Sequence, residues 1–154
     1  MPPDPSRCPD APTEPPLAAW FSVVRVYHKV VRKLERRLDE HGLALAHFEM
    51  LVKLSMAEGM TQQELAARLL VTKGNVCVLL DRMESNGWVE RREHPEDKRA
   101  NRLFLTKQGR KLLDQVLPEH LQLIRETMSV MNRVQQKGVH AALDRVDQSL
   151  ELET

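Results

Sequence analysis

Residues 60–113 constrain the fold of this 154-residue chain more than any other stretch. Thr61 followed three residues later by Glu64 matches a capping box, in which each side chain accepts the exposed backbone N–H of the other residue. This pair predicts that a helix begins here, and the apolar residues that follow extend it over residues 62–69. A helix so short must bury one face against other elements to be stable.

A second amphipathic helix is predicted from Thr72, which can cap it, to about Asn86. Four apolar residues share one face at offsets of zero, three, four and seven; they are Val76, Leu79, Leu80 and Met83. The other face begins with small or polar residues, as a helix that reads the major groove of DNA requires. These residues are Thr72, Lys73, Gly74, Asn75, Cys77 and Val78, with Arg82 beside them. Lys73 and Asn75 can donate to phosphates or bases, and Gly74 permits close approach.

Two short strand-like runs follow, at residues 88–92 and 101–105. A polar loop at residues 93–99 joins them, and its proline suits a turn. Leucines alternate with other residues in the second run, as in a strand with one buried face. A hairpin directly after two helices predicts a wing. Its Arg99, and with it Lys98, would lie along or in the minor groove, whose negative potential attracts arginine.

Amphipathic helices are also predicted on both sides of this module. Apolar residues recur at spacings of three and four over residues 17–41, 44–56, 107–131 and 135–151. The long terminal helices expose more apolar surface than one copy of the chain can cover. We therefore predict a homodimer that forms through the N- and C-terminal helices.

The first sixteen residues differ from the rest because they contain seven of the nine prolines. Proline lacks a backbone donor and interrupts helices, so this segment is predicted to be disordered. We divide the chain into this tail (1–16), a helical dimerisation region (17–43 and 107–154) and a DNA-binding winged domain (44–106). The tail lacks the pattern of a signal peptide, and no run approaches the roughly 18 apolar residues of a membrane span. A cytoplasmic protein is expected.

Positive charge is concentrated in the central module. Residues 61–113 contain eleven Lys or Arg and seven Asp or Glu, a net charge of +4, whereas the remainder carries −3. A basic bias of this kind fits a nucleic-acid footprint, although it would not identify one alone.

Taken together, these motifs resemble the DNA-binding domain of the MarR (multiple antibiotic resistance regulator) family of bacterial transcription factors. The matching runs are ELAARLLVT, VLLDRMESNGWVERR and DKRANRLFLTKQGRKLL. The family's wing signature is an Asp, one residue and an Arg, then a hydrophobic-Leu-Thr and a Gly-Arg. The chain matches it at Asp97, Arg99, Leu105-Thr106 and Gly109-Arg110. The resemblance implies a mainly α fold with a small β-hairpin wing and terminal dimerisation helices.

The resemblance also implies roles for individual residues. Arg99 would be the minor-groove arginine, Asp97 would buttress the wing through a salt bridge, and residues 72–86 would form the recognition helix. Family members often carry Thr and a polar or basic residue where this chain has Cys77 and Val78. Small apolar groups at these positions would favour contact with thymine methyls over hydrogen bonds.

The function that follows is a dimeric, sequence-specific DNA-binding transcriptional regulator, a repressor relieved by a small-molecule effector. Its symmetry calls for a palindromic operator in double-stranded DNA. The resemblance implies an effector pocket between the dimerisation helices and the winged domain, and the residues to inspect first are Trp20, Phe21, Arg25 and His28. No cofactor or metal is predicted, because neither Cys8 nor Cys77 belongs to a ligand-spaced cluster. No motif of a catalytic site is present, so an enzyme is not expected.

Three alternatives remain open from the residues alone. The stripe of Phe21, Arg25, His28 and Arg32 on the first helix is either a solvated face or a basic lining for an anionic effector. Oxidation of Cys77 in the recognition helix would make the protein a thiol sensor, because it adds bulk and charge at the DNA face. The winged module could instead dock a protein partner.

Overall fold

The computed structural model describes residues 14–69, 73–96 and 100–151. In these ranges the chain forms six helices and one two-stranded antiparallel sheet, which confirms the predicted mainly helical winged fold. The elements in chain order are α1 (Pro15–Asp39), α2 (Leu45–Met56), α3 (Gln62–Leu69), α4 (Lys73–Ser85), β1 (Val89–Glu93), β2 (Asn101–Leu105), α5 (Lys107–Met128) and α6 (Arg133–Glu151). Residues 1–13, which contain most of the predicted tail, lie outside the described residues.

Helix α1 begins at Pro15, two residues before the predicted start. Proline interrupts a helix in its interior, but the first helical positions tolerate it because their N–H groups have no intrahelical partner. The predicted boundary between tail and helix therefore lies two residues too late. Only Leu34 and Leu38 of α1 are buried, whereas Trp20 and Tyr27 of the predicted apolar stripe are 62% and 61% exposed.

The buried core of the winged module is built from α2, α3, α4 and the hairpin. Helix α2 has five buried residues, His47, Phe48, Met50, Leu51 and Leu54, because apolar residues occupy several of its faces. The fully buried side chains of these elements are Met50, Leu51, Leu54, Leu65, Val76, Leu80, Met83, Val89 and Leu103. Burial of each such side chain stabilises the fold by about 1.5–3 kcal/mol. This packing fixes the direction in which α4 presents its other face.

The hairpin pairs β1 with β2 in a regular antiparallel register from Val89↔Leu105 to Glu93↔Asn101. The segment before α3 forms an isolated β-bridge with β2, between Thr61 and Arg102, and the Gly59 N–H donates to the Leu103 carbonyl at 2.8 Å. The Leu103 N–H in turn donates to the Met60 carbonyl at 2.9 Å. The wing is thus joined to the start of the helix-turn-helix, a connection that the sequence pattern did not predict.

Helix α5 continues through Pro118, and α6 begins at Arg133, two residues before the predicted start. A reciprocal cap explains this earlier start, since the Asn132 and Gln135 side chains each accept the other's backbone N–H at 3.0 Å. The described residues between 14 and 116 and those between 117 and 151 form two compact units. Within the described ranges, no helix is long and apolar enough to cross a membrane.

Candidate nucleic-acid interface

Helix α4 divides into a buried face and an exposed face, as its sequence pattern predicts. Val76, Leu80 and Met83 are at most 1% exposed, so they anchor the helix in the core. The residues exposed on the other side include four predicted contacts: Asn75, Cys77, Val78 and Arg82. Val78 is 71% exposed, so its apolar side chain is available for contact on this face.

The predicted contacts also include residues outside the described ranges, namely Thr72, Asp97, Lys98 and Arg99. Lys73 and Gly74 lie in the first turn of α4, but only their backbone is described. The roles predicted for these six residues therefore remain predictions, and so does the Asp97 salt bridge.

The predicted capping box at the start of α3 is present. The Thr61 N–H donates to Glu64 Oε2 at 2.6 Å, and the Glu64 N–H donates to Thr61 Oγ1 at 3.2 Å. The Thr61 hydroxyl also donates to Glu64 Oε2, at 3.0 Å. The bond from the Thr61 N–H, followed by the bond from this hydroxyl, lowers the pKa of the Glu64 carboxyl. The cap fixes the start of the helix that precedes α4.

Cys77 links the two helices of this motif. Its Sγ accepts a hydrogen bond from Gln62 Nε2 at 2.7 Å, and the thiol is exposed and not in a disulfide. Because Gln62 opens α3, this contact joins the start of that helix to the exposed face of α4. Cys77 thus has a packing role that its position in the sequence did not reveal.

Helix α4 ends at Ser85, close to the predicted end at about Asn86, and the chain turns at Gly87. Gly87 has φ +71°, a left-handed conformation that few other residues adopt readily. The Trp88 N–H then donates to the Met83 carbonyl at 2.9 Å, so the chain leaves the helix and enters β1 almost at once. This short connection places the wing directly beside the C-terminal half of α4.

Arginines line both strands of the wing. Arg92 bonds Glu90 on its own strand, with Nε to Oε1 at 2.8 Å, and its guanidinium lies 4.3 Å from the centre of the Phe104 ring. On β2, Arg102 Nη2 lies 3.4 Å from His94 Nε2. The side chains nearest the hairpin loop are therefore held by neighbours on the sheet.

Arg91 has a different set of partners, which sequence reasoning missed. Its Nη2 donates to Asp81 Oδ1 at 2.5 Å, and its Nη1 forms an ion pair with Glu84. Both acceptors belong to α4, so one side chain of the wing contacts two positions of that helix. Its partners lie seven and ten residues away, and only the folded hairpin brings them together.

The start of α5 gives the remaining motif residues structural roles. Thr106 Oγ1 donates to the Gly87 carbonyl at 2.5 Å and accepts the Gly109 N–H at 3.0 Å. Gly109 is buried against the Trp88 carbonyl, and Arg110 pairs with Glu58 in the turn after α2. The motif residues Leu105-Thr106 and Gly109-Arg110 therefore hold the end of the wing and the first turn of α5 against the helical core.

His47 is a buried residue beneath this junction. Its side chain is 6% exposed and meets the Trp88 ring edge-on, with 6.0 Å between centroids. Among the described residues no hydrogen-bond partner reaches its Nε2. Burial, and then the nearby Arg82 charge, lower its pKa. Its burial against Trp88 gives His47 a structural role in the core.

The residues predicted to line an effector pocket lie along the exposed surface of α1. Trp20 and Phe21 are 62% and 44% exposed, and Arg25 and His28 are exposed as well. Arg25 Nη2 donates to Ser22 Oγ at 3.2 Å, and the His28 ring contacts Tyr27 with 5.7 Å between centroids. Their role in effector binding remains a prediction. In the part of the chain that the structure describes, no group of three or more His, Cys, Asp or Glu side chains could hold a metal ion.

Comparisons with known proteins agree with this geometry. The model of the MarR family matches residues 41–100. Over 114 residues the chain is 34% identical to the HTH-type transcriptional repressor YetL of Bacillus subtilis strain 168, which covers 73% of this chain and 68% of that protein.

Two solved structures of DNA complexes are also similar. Sco3205, a MarR family transcriptional regulator from Streptomyces coelicolor in complex with DNA, is 27% identical with a TM-score of 0.82, covering 92% of this chain and 91% of that one. A mutant MarR from E. coli complexed with operator DNA is 28% identical with a TM-score of 0.76, covering 86% of this chain and 94% of that one.

Proposed function

This chain belongs to the MarR family of winged helix-turn-helix DNA-binding transcriptional regulators, and from this premise we propose that it is a dimeric repressor released from its operator by a small molecule. The observation that carries the proposal is the exposed face of α4, held beside an arginine-bearing wing. The family consists of regulators and not of enzymes. That YetL is named a repressor supports repression over activation.

In this proposal α4 enters the major groove. Its contacts are Thr72, Lys73, Gly74, Asn75, Cys77, Val78 and Arg82. Because Cys77 and Val78 present small apolar surfaces, they would contact thymine methyls, whereas Lys73, Asn75 and Arg82 would donate to bases or phosphates. Lys98 and Arg99 would reach the minor groove at the wing tip, with Asp97 supporting the loop.

Dimerisation is supported by the exposed apolar side chains of the terminal helices. On α6, Val139, Leu143, Val146 and Leu150 are 39–61% exposed, and α1 exposes Trp20 and Tyr27 to a similar degree. Paired copies would cover these stripes and present two recognition helices about 34 Å apart, one turn of DNA. An effector that binds beside Trp20, Phe21, Arg25 and His28 would lie next to this interface and could alter that spacing.

Selection of bound sequences from random duplex DNA tests the proposal directly. A dimer should select a palindrome with half-sites one turn apart, and its affinity should fall steeply as salt rises, because phosphate contacts release counterions. Screening metabolites for release of the selected DNA would then identify the effector. Lack of any sequence preference, or affinity that is independent of salt, would contradict the proposal.

The same assay separates the two functional alternatives. A thiol sensor would lose operator affinity after mild peroxide, and Cys77→Ser would abolish that response. A protein-docking module would show no salt-dependent DNA binding at all. The exposed Cys77 thiol makes the first comparison worth including in any binding series.

A further inference from the structure

Arg91 is the side chain through which the wing holds the recognition helix. It is 20% exposed, in contrast to its neighbour Arg92 at 62%. Its guanidinium bonds Asp81 and Glu84, and its backbone N–H lies 3.4 Å from Glu84 Oε1. A guanidinium suits this position because its planar fork can serve two carboxylates at once.

The position of Arg91 along β1 determines which motion these bonds restrain. The strand is already tied to α4 at its first end, where the Trp88 N–H bonds the Met83 carbonyl. Arg91 lies three residues further along, about 10 Å at the rise of a strand. Other bonds hold the hairpin through β2 and Thr106, but an attachment at this distance from Trp88 fixes the direction of β1 relative to α4 itself.

Charge provides a second reason for the cluster. Asp81 and Glu84 lie on the helix proposed to face DNA, and their side chains are 67% and 42% exposed. Carboxylates near phosphates oppose binding. Arg91 neutralises part of their charge and holds both groups toward the strand.

We propose that Arg91 is a positioning residue that locks the wing to the recognition helix, so that the two elements meet the two grooves of one operator in a fixed relation. This inference rests on the proposed function. Arg91 itself need not contact DNA. Its effect is therefore on discrimination between operator and other sequences, more than on attraction to DNA in general.

The experiment compares three full-length variants with the wild type. Arg91→Gln removes the link and one positive charge. Glu84→Gln weakens the link from the other side and removes a negative charge. Arg92→Gln is the matched control, because it removes the same charge from the same strand but its described partners, Glu90 and Phe104, belong to the hairpin. Each protein is titrated with the selected operator and with a scrambled duplex, and backbone hydrogen exchange is measured without DNA.

The ratio of the two affinities is the deciding quantity. If Arg91 positions the wing, that ratio falls about tenfold in Arg91→Gln, falls in the same direction in Glu84→Gln, and changes little in Arg92→Gln. If only charge mattered, Arg91→Gln and Glu84→Gln would shift affinity for both duplexes in opposite directions with an unchanged ratio. That outcome would overturn the proposal.

Hydrogen exchange makes the test independent of DNA. The amides of β1 and β2 should exchange faster in Arg91→Gln than in Arg92→Gln, while those of α2 keep their protection. Equal exchange in the two variants would overturn the proposed lock. A wild type with no sequence preference would overturn the proposed function alone, since the exchange comparison still decides whether Arg91 fixes β1 to α4.

Discussion

The backbone carbonyl of Trp88 packs against Gly109 so closely that a Cβ at that glycine would lie 2.0 Å from the oxygen. The same carbonyl accepts the Thr106 N–H at 3.1 Å, and Thr106 in turn caps α5 through Gly109. The oxygen therefore cannot move away without loss of the bonds that join the wing to α5. A glycine is required here for space.

Gly109→Ala should lower the free energy of unfolding by about 1–3 kcal/mol, the usual cost of an overpacked site. Backbone must shift to admit the methyl group, because the obstructing atom is not at the end of a flexible side chain. Chemical denaturation of the variant and the wild type measures the difference.

Gly138→Ala is the matched control. Gly138 lies inside α6 with no described atom within 4 Å of a built Cβ. Replacing an interior helical glycine by alanine should stabilise that helix by about 1 kcal/mol. Equal effects of the two substitutions would show that the contact between Trp88 and position 109 does not limit the packing.

His47 should make the fold sensitive to acid. Burial, followed by the Arg82 charge, lowers its folded pKa below the ordinary 6.5, so the unfolded chain binds a proton more readily than the folded one. The contribution of neutral His47 to the free energy of unfolding is fully present above pH 6.5. It is lost as the pH falls from there through the folded pKa. Each unit by which the folded pKa is lowered corresponds to a loss of about 1.4 kcal/mol in the free energy of unfolding at acidic pH.

His47→Phe tests this expectation because it keeps an aromatic ring against Trp88 and cannot titrate. Denaturation of both proteins at several pH values should give curves that run parallel above pH 6.5 and diverge below it, with the wild type losing more stability. The difference between the proteins isolates His47 from the other histidines. Parallel curves throughout would mean that His47 takes up its proton without cost to folding.

Local patterns predicted most of the fold, because apolar spacing records which face of each helix is buried. Val76, Leu80 and Met83 lie in the core as their offsets indicated, and Thr61 and Glu64 cap α3 as expected. What was missed depends on contacts between distant segments. The segment from Gly59 to Thr61, which forms the isolated bridge with β2, is too short to show alternation.

The site was predicted less fully for a related reason. The exposed positions of Asn75, Cys77, Val78 and Arg82 followed from helical periodicity. Arg91, in contrast, looked like any charged strand residue, since neither its burial nor its two partners on α4 can be inferred without the hairpin register. The Gly109 constraint is also a tertiary one, although the family motif marked the residue.

Arg99→Ala should weaken operator binding by about 1–3 kcal/mol, the scale of a lost groove contact, while leaving the oligomeric state unchanged. Arg37→Ala is the control, because it removes an equal charge from an exposed position on α1 that is not among the proposed DNA contacts. Titration of the selected operator with both variants measures the difference. If the two lose affinity equally, Arg99 contributes net charge only.

The exposed stripe on α6 leads to a prediction about assembly. Leu143 is 45% exposed, and burial of a leucine side chain is worth about 1.5–3 kcal/mol. A symmetric dimer contains the residue twice, so Leu143→Lys should raise the dimer dissociation constant by about two to four powers of ten. Gln148→Lys introduces the same side chain elsewhere on the helix and should leave the dimer intact. Light scattering across a dilution series distinguishes the two variants.

Truncation before Gln135 should give a monomer that no longer prefers palindromic DNA. A truncated chain that remains dimeric would assign the interface to α1 or α5, because α6 would then be dispensable.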